Sequence, residues 1–341
     1  MKSKHINIPI FIPHLGCPND CVFCNQRIIS GVCEFSPESV VPIIESVLRG
    51  ASEKSKIEIA FFGGSFTGID RTLMEELLKI ANGYLKQGRI CSIRCSTRPD
   101  YISEDILDVL KHYGVGTIEL GIQSASDAVL EKSKRGHTFL DTEKAVALIR
   151  SYGFRLGGQM MIGLPGASRA DEIKTAEFIA SVSNEARIYP TIVFNQTELK
   201  AMMQMGGYHP LTLDEAIERS AAAFSVLVKN NVKILRVGLC DSENLHSEDT
   251  FFAGPNHAAM GELVENEYYL QEISELLDKL ELNDGDILRV YVSKGHTSKV
   301  IGQHKKNKIR LLEKYSLTSI FVTECDEISE YEIRLKLEER K

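Results

Sequence analysis

Short apolar runs rich in β-branched residues alternate along the chain with stretches whose apolar positions recur every three or four residues. The runs "INIPIFI" (6–12), "KIEIAFF" (56–62), "ICSIRCS" (90–96), "GTIELGI" (116–122), "FRLGGQMMI" (154–162), "ARIYPTIVF" (186–194) and "VKILRVG" (232–238) predict strands. Between them "PESVVPIIESVLRG" (37–50), "DRTLMEELLKIANGYLKQG" (70–88) and "LDTEKAVALIRSYG" (140–153) predict amphipathic helices. Asp70 reads as an N-cap, and Gly50 and Gly153 read as helix stops. Strand–helix alternation repeated in this way predicts an α/β fold, a parallel sheet with crossover helices. The spacing leaves open whether the sheet closes.

Chemistry-bearing residues collect where the strands end. A loop with three cysteines follows the first strand, and "GGSFTG" (63–68), with Gly63 and Gly64, follows the second. "STRPDY" (96–101), with Ser96 and Arg98, ends the third, Gln123 ends the fourth, and "GLPG" (163–166) follows the fifth. Parallel α/β folds bind ligands beyond the carboxyl ends of their strands, so these features are expected to share one mouth. The glycine pair lets backbone approach a ligand closely. Ser96, Arg98 and Gln123 are placed to hydrogen-bond a polar ligand, and Arg135, in "KRGH", to pair with a carboxylate.

Composition narrows the class. With 341 residues, 43% of them apolar, the chain can bury a large core, and its net charge of −7 gives no global bias toward nucleic acid. No apolar run approaches the roughly 20 residues of a membrane span, and the N-terminal apolar stretch is too short for a signal peptide. The chain is therefore expected to be cytoplasmic, with no membrane partner. There its eight cysteines would not form a disulfide framework. Cys17, Cys21 and Cys24 lie within eight residues, a spacing that suits metal binding. A 4Fe-4S cluster has four irons, and three thiolates leave one iron open to a ligand that is not a side chain. The alternatives are a zinc site borrowing His14 or Cys33, or three incidental thiols. Cys91 and Cys95, sharing a strand face, are expected to be buried packing. Cys33, Cys240 and Cys325 read as ordinary thiols, "AMMQMGG" (201–207) as core or a helix end, and the acidic "CDSENLHSED" (240–249) as a solvated rim.

The spacing CxxxCxxC with Phe23 before the last cysteine resembles the signature of the radical S-adenosylmethionine (SAM) enzymes. The resemblance implies one 4Fe-4S cluster on Cys17, Cys21 and Cys24, with the amine and carboxylate of SAM on the open iron. It also implies SAM contacts at Gly63, Gly64, Gln123 and Arg135, and at Ser96 and Arg98. Within that superfamily "AFFGGSFTGI", "STRPDYI", "IELGIQSASDAVLEKSKRGHT", "GFRLGGQMMIGLPG" and "ARIYPTIVFNQTEL" resemble the radical-SAM half of the Elongator catalytic subunit, from residue 5 to residue 240. Oxygen-independent coproporphyrinogen oxidases are a more distant likeness. A partial (β/α)6 TIM-like barrel is implied. So is a deoxyadenosyl radical that takes hydrogen in the modification of the transfer RNA wobble uridine. Ser96 stands where that family has glutamate, and Asn195 where it has arginine. No acetyltransferase domain or basic N-terminal extension accompanies the match, so the carboxymethyl reaction is not expected to carry over.

Residues 246–285 read as a helical connector after a barrel of residues 1–245, and 286–341 as a small α+β domain. Its order of strand, short helix, "IGQHK" loop, helix, strand, strand resembles a KH RNA-binding domain, whose GxxG loop clamps nucleotide backbone. Gly302 keeps the first glycine; Lys305 replaces the second. From Arg289 to Lys314 eight basic residues face one acid, Glu313. Lys299, Gly302, Lys305, Lys306, Lys308 and Arg310 are the expected RNA contacts. The reading is a radical SAM enzyme acting on RNA, with transfer RNA as partner and a flavodoxin- or ferredoxin-like electron donor. Its rivals are a radical SAM enzyme on a small metabolite with the basic domain as a cap, and a non-catalytic RNA-binding iron–sulfur or zinc protein.

Overall fold

In a computed structural model, β1 (His5–Ile12) pairs in parallel with β2 (Lys56–Gly63), which begins a sheet of seven strands. The structure describes residues 5–12, 15, 17, 21–25, 35–52, 54–239 and 247–338; His14, Cys33, Cys240 and most of the acidic 240–249 loop lie outside them. Next come β3 (Ser92–Thr97), β4 (Val115–Gln123), β5 (Arg155–Ile162) and β6 (Glu185–Pro190), each parallel to its predecessor. A two-residue β7 (Val193–Phe194) leaves the sheet, and β8 (Lys233–Val237) returns to pair with β6. The result is an open, curled parallel half-barrel, one strand larger than the six implied by resemblance.

Two boundaries differ from the sequence pattern. The run 186–194 breaks after Pro190, which lacks an N–H for further pairing. The third strand begins at Ser92, so Cys91 is exposed while Cys95 is buried, and the expected shared packing face does not form. Burial pushes the Cys95 thiol up to about 12, which makes it inert.

The crossovers are α1 (Val40–Gly50), α2 (Arg71–Lys86), α3 (Glu104–His112), α4 (Asp127–Lys132), α5 (Phe139–Ser151), α6 (Arg169–Val182), α7 (Glu198–Gln204) and α8 (Leu213–Lys229). Asp70 caps α2 by accepting from the Leu73 N–H, as the sequence suggests. Gly153, at φ 80°, stops α5, whereas Gly50 is the last residue inside α1. "AMMQMGG" closes α7, a helix end.

Alternation along the strands separates two faces. Ile8, Ile10, Ile12, Ile57, Ile59, Phe61, Ile93, Ile118, Leu120 and Ile188 pack outward under the helices in one continuous core. The intervening residues line the concave face. There Arg94 (2% exposed) reaches Glu58, Glu119 and Glu185 at 2.8, 2.7 and 3.2 Å, and Arg187 reaches Glu119 (1% exposed) at 2.7 Å. At the edges of this ionic belt the exposed Arg155 and His5 reach Glu185 and Glu58, and Gln159 donates to Glu119. Burial pushes the Glu119 carboxyl up, but Arg187 and Arg94 outweigh it and hold it below the usual range.

After a short β9 (Phe251–Ala253), α9 (Met260–Leu277) packs on α8 and leads to β10 (Ile287–Val292), α10 (Thr297–Ile301), α11 (Lys306–Lys314), β11 (Ser319–Glu324) and β12 (Arg334–Glu338). β10 is central, parallel to β11 and antiparallel to β12. Leu288, Val290 and Val292 belong to the same buried cluster as the barrel core. Tyr268 of α9 packs tilted against Phe224 and edge-on against Tyr331, and donates to the Tyr331 carbonyl at 3.0 Å. Among the described residues no helix is long and apolar enough to cross a membrane.

Candidate active site

The strand ends converge as the sequence pattern requires. Gly63 has φ 120°, and a Cβ there would stand 2.5 Å from the Ile12 carbonyl oxygen, so only glycine permits this contact with β1. Gly64 donates to the same oxygen at 3.2 Å. The loop then locks onto the end of β3: Ser65 Oγ lies 2.9 Å from Thr97 Oγ1 and accepts from the Arg98 N–H at 3.0 Å, and Thr67 donates to the Tyr101 carbonyl.

The cysteine loop is anchored from two sides. The Val22 N–H donates to the Ser133 carbonyl just past α4, and the Leu199 N–H of α7 donates to the Val22 carbonyl. Cys21, Val22 and Phe23 are buried against Val129, Leu164 of the "GLPG" turn, Leu199 and Tyr208. That turn is itself fixed: Gly163 donates to Glu172 at 2.7 Å, and Arg219 holds Glu172.

Two arginines close over the sulfurs. Arg135 Nη1 is 3.3 Å from Cys21 Sγ, and its Nη2 donates to the Gly121 carbonyl at 2.9 Å. Arg98 Nη1 is 3.7 Å from Cys17 Sγ and 4.0 Å from Cys21 Sγ. The Arg98 guanidinium is held by both Asp100 oxygens at 2.9 and 2.8 Å and donates to the Arg135 carbonyl. It therefore faces the cysteines. Burial tends to lower its pKa, but Asp100 and the two cysteines override this and raise it further.

Beside Arg135, Gln123 sits at a β-bulge with φ 65°. Its Oε1 and Arg135 Nε are buried without a partner. A buried acceptor and donor left unmatched cost stability unless a ligand completes them. Ser96 lies buried on the same concave face. His137, its side chain 0% exposed and both ring nitrogens unpartnered, lies 3.8 Å from Asp100. Burial and the neighbouring Arg135 depress its pKa to about 4.

Asp100, His137 and the ionic belt are not among the residues the sequence pattern singles out. Single charged residues inside apolar strands, as in "IEI", "SIRCS" and "TIELG", were the available signal for the belt.

The chain matches the radical SAM superfamily over residues 11–179 and the radical SAM C-terminal domain over residues 184–269. It belongs to the radical SAM superfamily, whose chemistry uses a 4Fe-4S cluster and SAM. It is 30% identical over 209 residues to a tRNA uridine(34) acetyltransferase of Methanocaldococcus jannaschii, covering 54% of this chain and 38% of that protein. It is 26% identical over 215 residues to Elongator complex protein 3 of Saccharomyces cerevisiae, covering 57% of this chain and 38% of that one. The solved structure of Methanocaldococcus infernus Elp3 with an N-terminal deletion shares the fold, with a TM-score of 0.63 at 23% identity over 80% of this chain and 64% of that one. The chain thus spans about two fifths of the length of these two curated relatives.

The residues present fit these cofactors. Two of the three sulfurs, those of Cys17 and Cys21, lie against two guanidiniums, which suits a site that holds the negative charge of a thiolate-ligated cluster. The unmatched Gln123 Oε1 and Arg135 Nε suit a polar ligand such as an amino-acid-bearing nucleoside. Among the described residues no three His, Cys, Asp or Glu side chains converge as ligands of a single ion. A cubane cluster spreads its thiolates over separate irons, so it does not require that convergence.

The basic segment is more neutralised than its sequence suggests. Arg289, Lys294, Lys299, Arg310 and Lys314 pair with Glu338, Asp326, Glu265, Glu267 and Asp278. Of the expected contacts, Lys305, Lys306 and Lys308 carry no ion pair among the described residues. They surround the "IGQHK" turn, where a Cβ on Gly302 would come within 2.9 Å of Asn307. Lys305, in place of the second glycine, has φ 61°. The backbone there keeps the left-handed form a glycine would favour.

Proposed function

We propose that the protein is an RNA-modifying radical SAM enzyme, acting on a transfer RNA nucleoside in the cytoplasm. In this reading Cys17, Cys21 and Cys24 hold the cluster, and Gln123, Arg135, Ser96 and the backbone of Gly63 and Gly64 orient SAM. When bound, these groups supply a one-electron cleavage that yields methionine and a 5′-deoxyadenosyl radical. The barrel's part is to hold the reacting parts close and exclude water. The curled sheet and the packed cysteine loop support that role. The electron comes from a small flavodoxin- or ferredoxin-type donor.

One observation carries the RNA assignment: three lysines without ion pairs crowd one glycine-hinged turn of a chain whose net charge is −7. Unpaired cations are free to displace counterions from a phosphate backbone. The tRNA-modifying character in the relatives' names supports the same substrate class. A second reading, a small metabolite beneath a C-terminal cap, is favoured by the five neutralised cations.

Formation of 5′-deoxyadenosine by anaerobically reconstituted protein, with and without bulk transfer RNA, separates the two. Stimulation by transfer RNA that disappears in Lys305/Lys306/Lys308→Ala supports the RNA enzyme. Cleavage indifferent to RNA supports the metabolite enzyme. No cleavage at all would leave only a structural metal protein.

A further inference from the structure

Arg98 and Arg135 are 4% and 6% exposed, yet among the described residues Arg98 pairs with one carboxylate, Asp100, and Arg135 with none. Burying a cation is costly unless it is matched by negative charge. Among the described residues the other groups within reach are the cysteine sulfurs, at 3.3 Å from Arg135 and at 3.7 and 4.0 Å from Arg98, which would bring negative charge as ligands of a cluster. His137, which flanks Asp100, is held neutral by burial and does not redress the balance.

We propose that Arg98 and Arg135 form a cationic clamp on Cys17 and Cys21 that sets the reduction potential of the cluster, with Asp100 as its counterweight. With three thiolate ligands the oxidised cluster carries about one negative charge and the reduced cluster about two. A fixed cation and its N–H···S contacts therefore stabilise the reduced form more than the oxidised form. Asp100 acts in the opposite sense, and it also fixes the angle at which Arg98 meets the sulfurs. Arg98 is a positioning and tuning residue here, distinct from the SAM contact its sequence context suggests. The inference holds for whichever substrate the mouth accepts.

The test is a potentiometric titration of the anaerobically reconstituted protein, following the reduced cluster by electron paramagnetic resonance and measuring iron content alongside. Dithionite supplies the single electron and is oxidised as the cluster is reduced. At the wild-type midpoint, Arg98→Gln and Arg135→Gln should each lower the ratio of reduced to oxidised cluster about tenfold, or about 59 mV for one electron. Arg98→Lys keeps the charge and should recover most of the shift. Asp100→Asn removes the counter-charge but keeps an acceptor for Arg98, and should move the potential upward. Equal shifts in Arg98→Gln and Arg98→Lys, or a downward shift in Asp100→Asn, would overturn the clamp and leave a packing role. If Arg98→Gln fails to retain iron, the opposed signs expected of Asp100→Asn and Arg135→Gln, with Arg98→Lys near the wild-type potential, still decide.

Discussion

Gly63 shows how one residue type can be dictated by the backbone. Its φ of 120° and the 2.5 Å approach to the Ile12 oxygen leave no room for a side chain. Gly63→Ala should lower unfolding free energy by about 1–3 kcal/mol and separate the two loops that frame the site. Urea denaturation, with iron uptake measured beside it, checks both effects. His137 makes a pH prediction. Its folded pKa of about 4 lies below the ordinary 6.5, so the unfolded chain takes the proton first. The stability tied to its neutral form is complete above pH 6.5 and is lost as pH falls toward 4. Wild type should show an extra slope of about 1.4 kcal/mol per pH unit across that window, and His137→Gln should lack it. Unfolding free energies measured through the window decide. The places of the cysteine loop, the glycine pair and Gln123 were legible as distinctive chemistry at strand ends, and that of Arg135 as an arginine in the turn after α4. Where Arg98 points was not legible: its direction depends on Asp100 and the Arg135 carbonyl, and the latter lies 37 residues away.

At the level of elements, the apolar runs marked the parallel strands, and the cap at Asp70 set the start of α2. Strand ends were harder to read. Pro190 ends β6 by removing a donor, and Ser92 begins β3 only where pairing with Glu58 starts. The ionic belt across β2 to β6 depends on register, since Arg94 meets three carboxylates from three other strands. Breaking such a buried network by removing one partner leaves uncompensated charge. Arg94→Gln should cost about 3–5 kcal/mol near pH 7, and less near pH 4, because Arg94 helps hold the Glu119 carboxyl below its usual range and that contribution fades as the carboxyl is protonated. Thermal unfolding at the two pH values measures the difference. A similar loss at both would place the cost in packing, apart from charge.

Across the whole molecule, the half-barrel and the C-terminal unit share one core, joined by α9 and its tyrosines. The basic run looked stronger in sequence than in space, because the acids that neutralise much of it, Glu265, Glu267 and Asp278, come from α9 and the residue that ends it. What remains is a compact three-lysine turn. Lys305/Lys306/Lys308→Ala should weaken transfer RNA binding at least tenfold and flatten its salt dependence, each lost phosphate contact reducing the slope by about one. Binding titrations at several salt concentrations read both quantities. The central claim is that radical chemistry in the barrel is directed at RNA. Its most direct test is mass spectrometry of the nucleosides in total transfer RNA from cells lacking the protein, complemented with wild type or with Cys17→Ala. A modified nucleoside that disappears in the deletion and returns only with the wild type is the expected result. Identical nucleoside profiles in all three would contradict the claim and move the search to small metabolites.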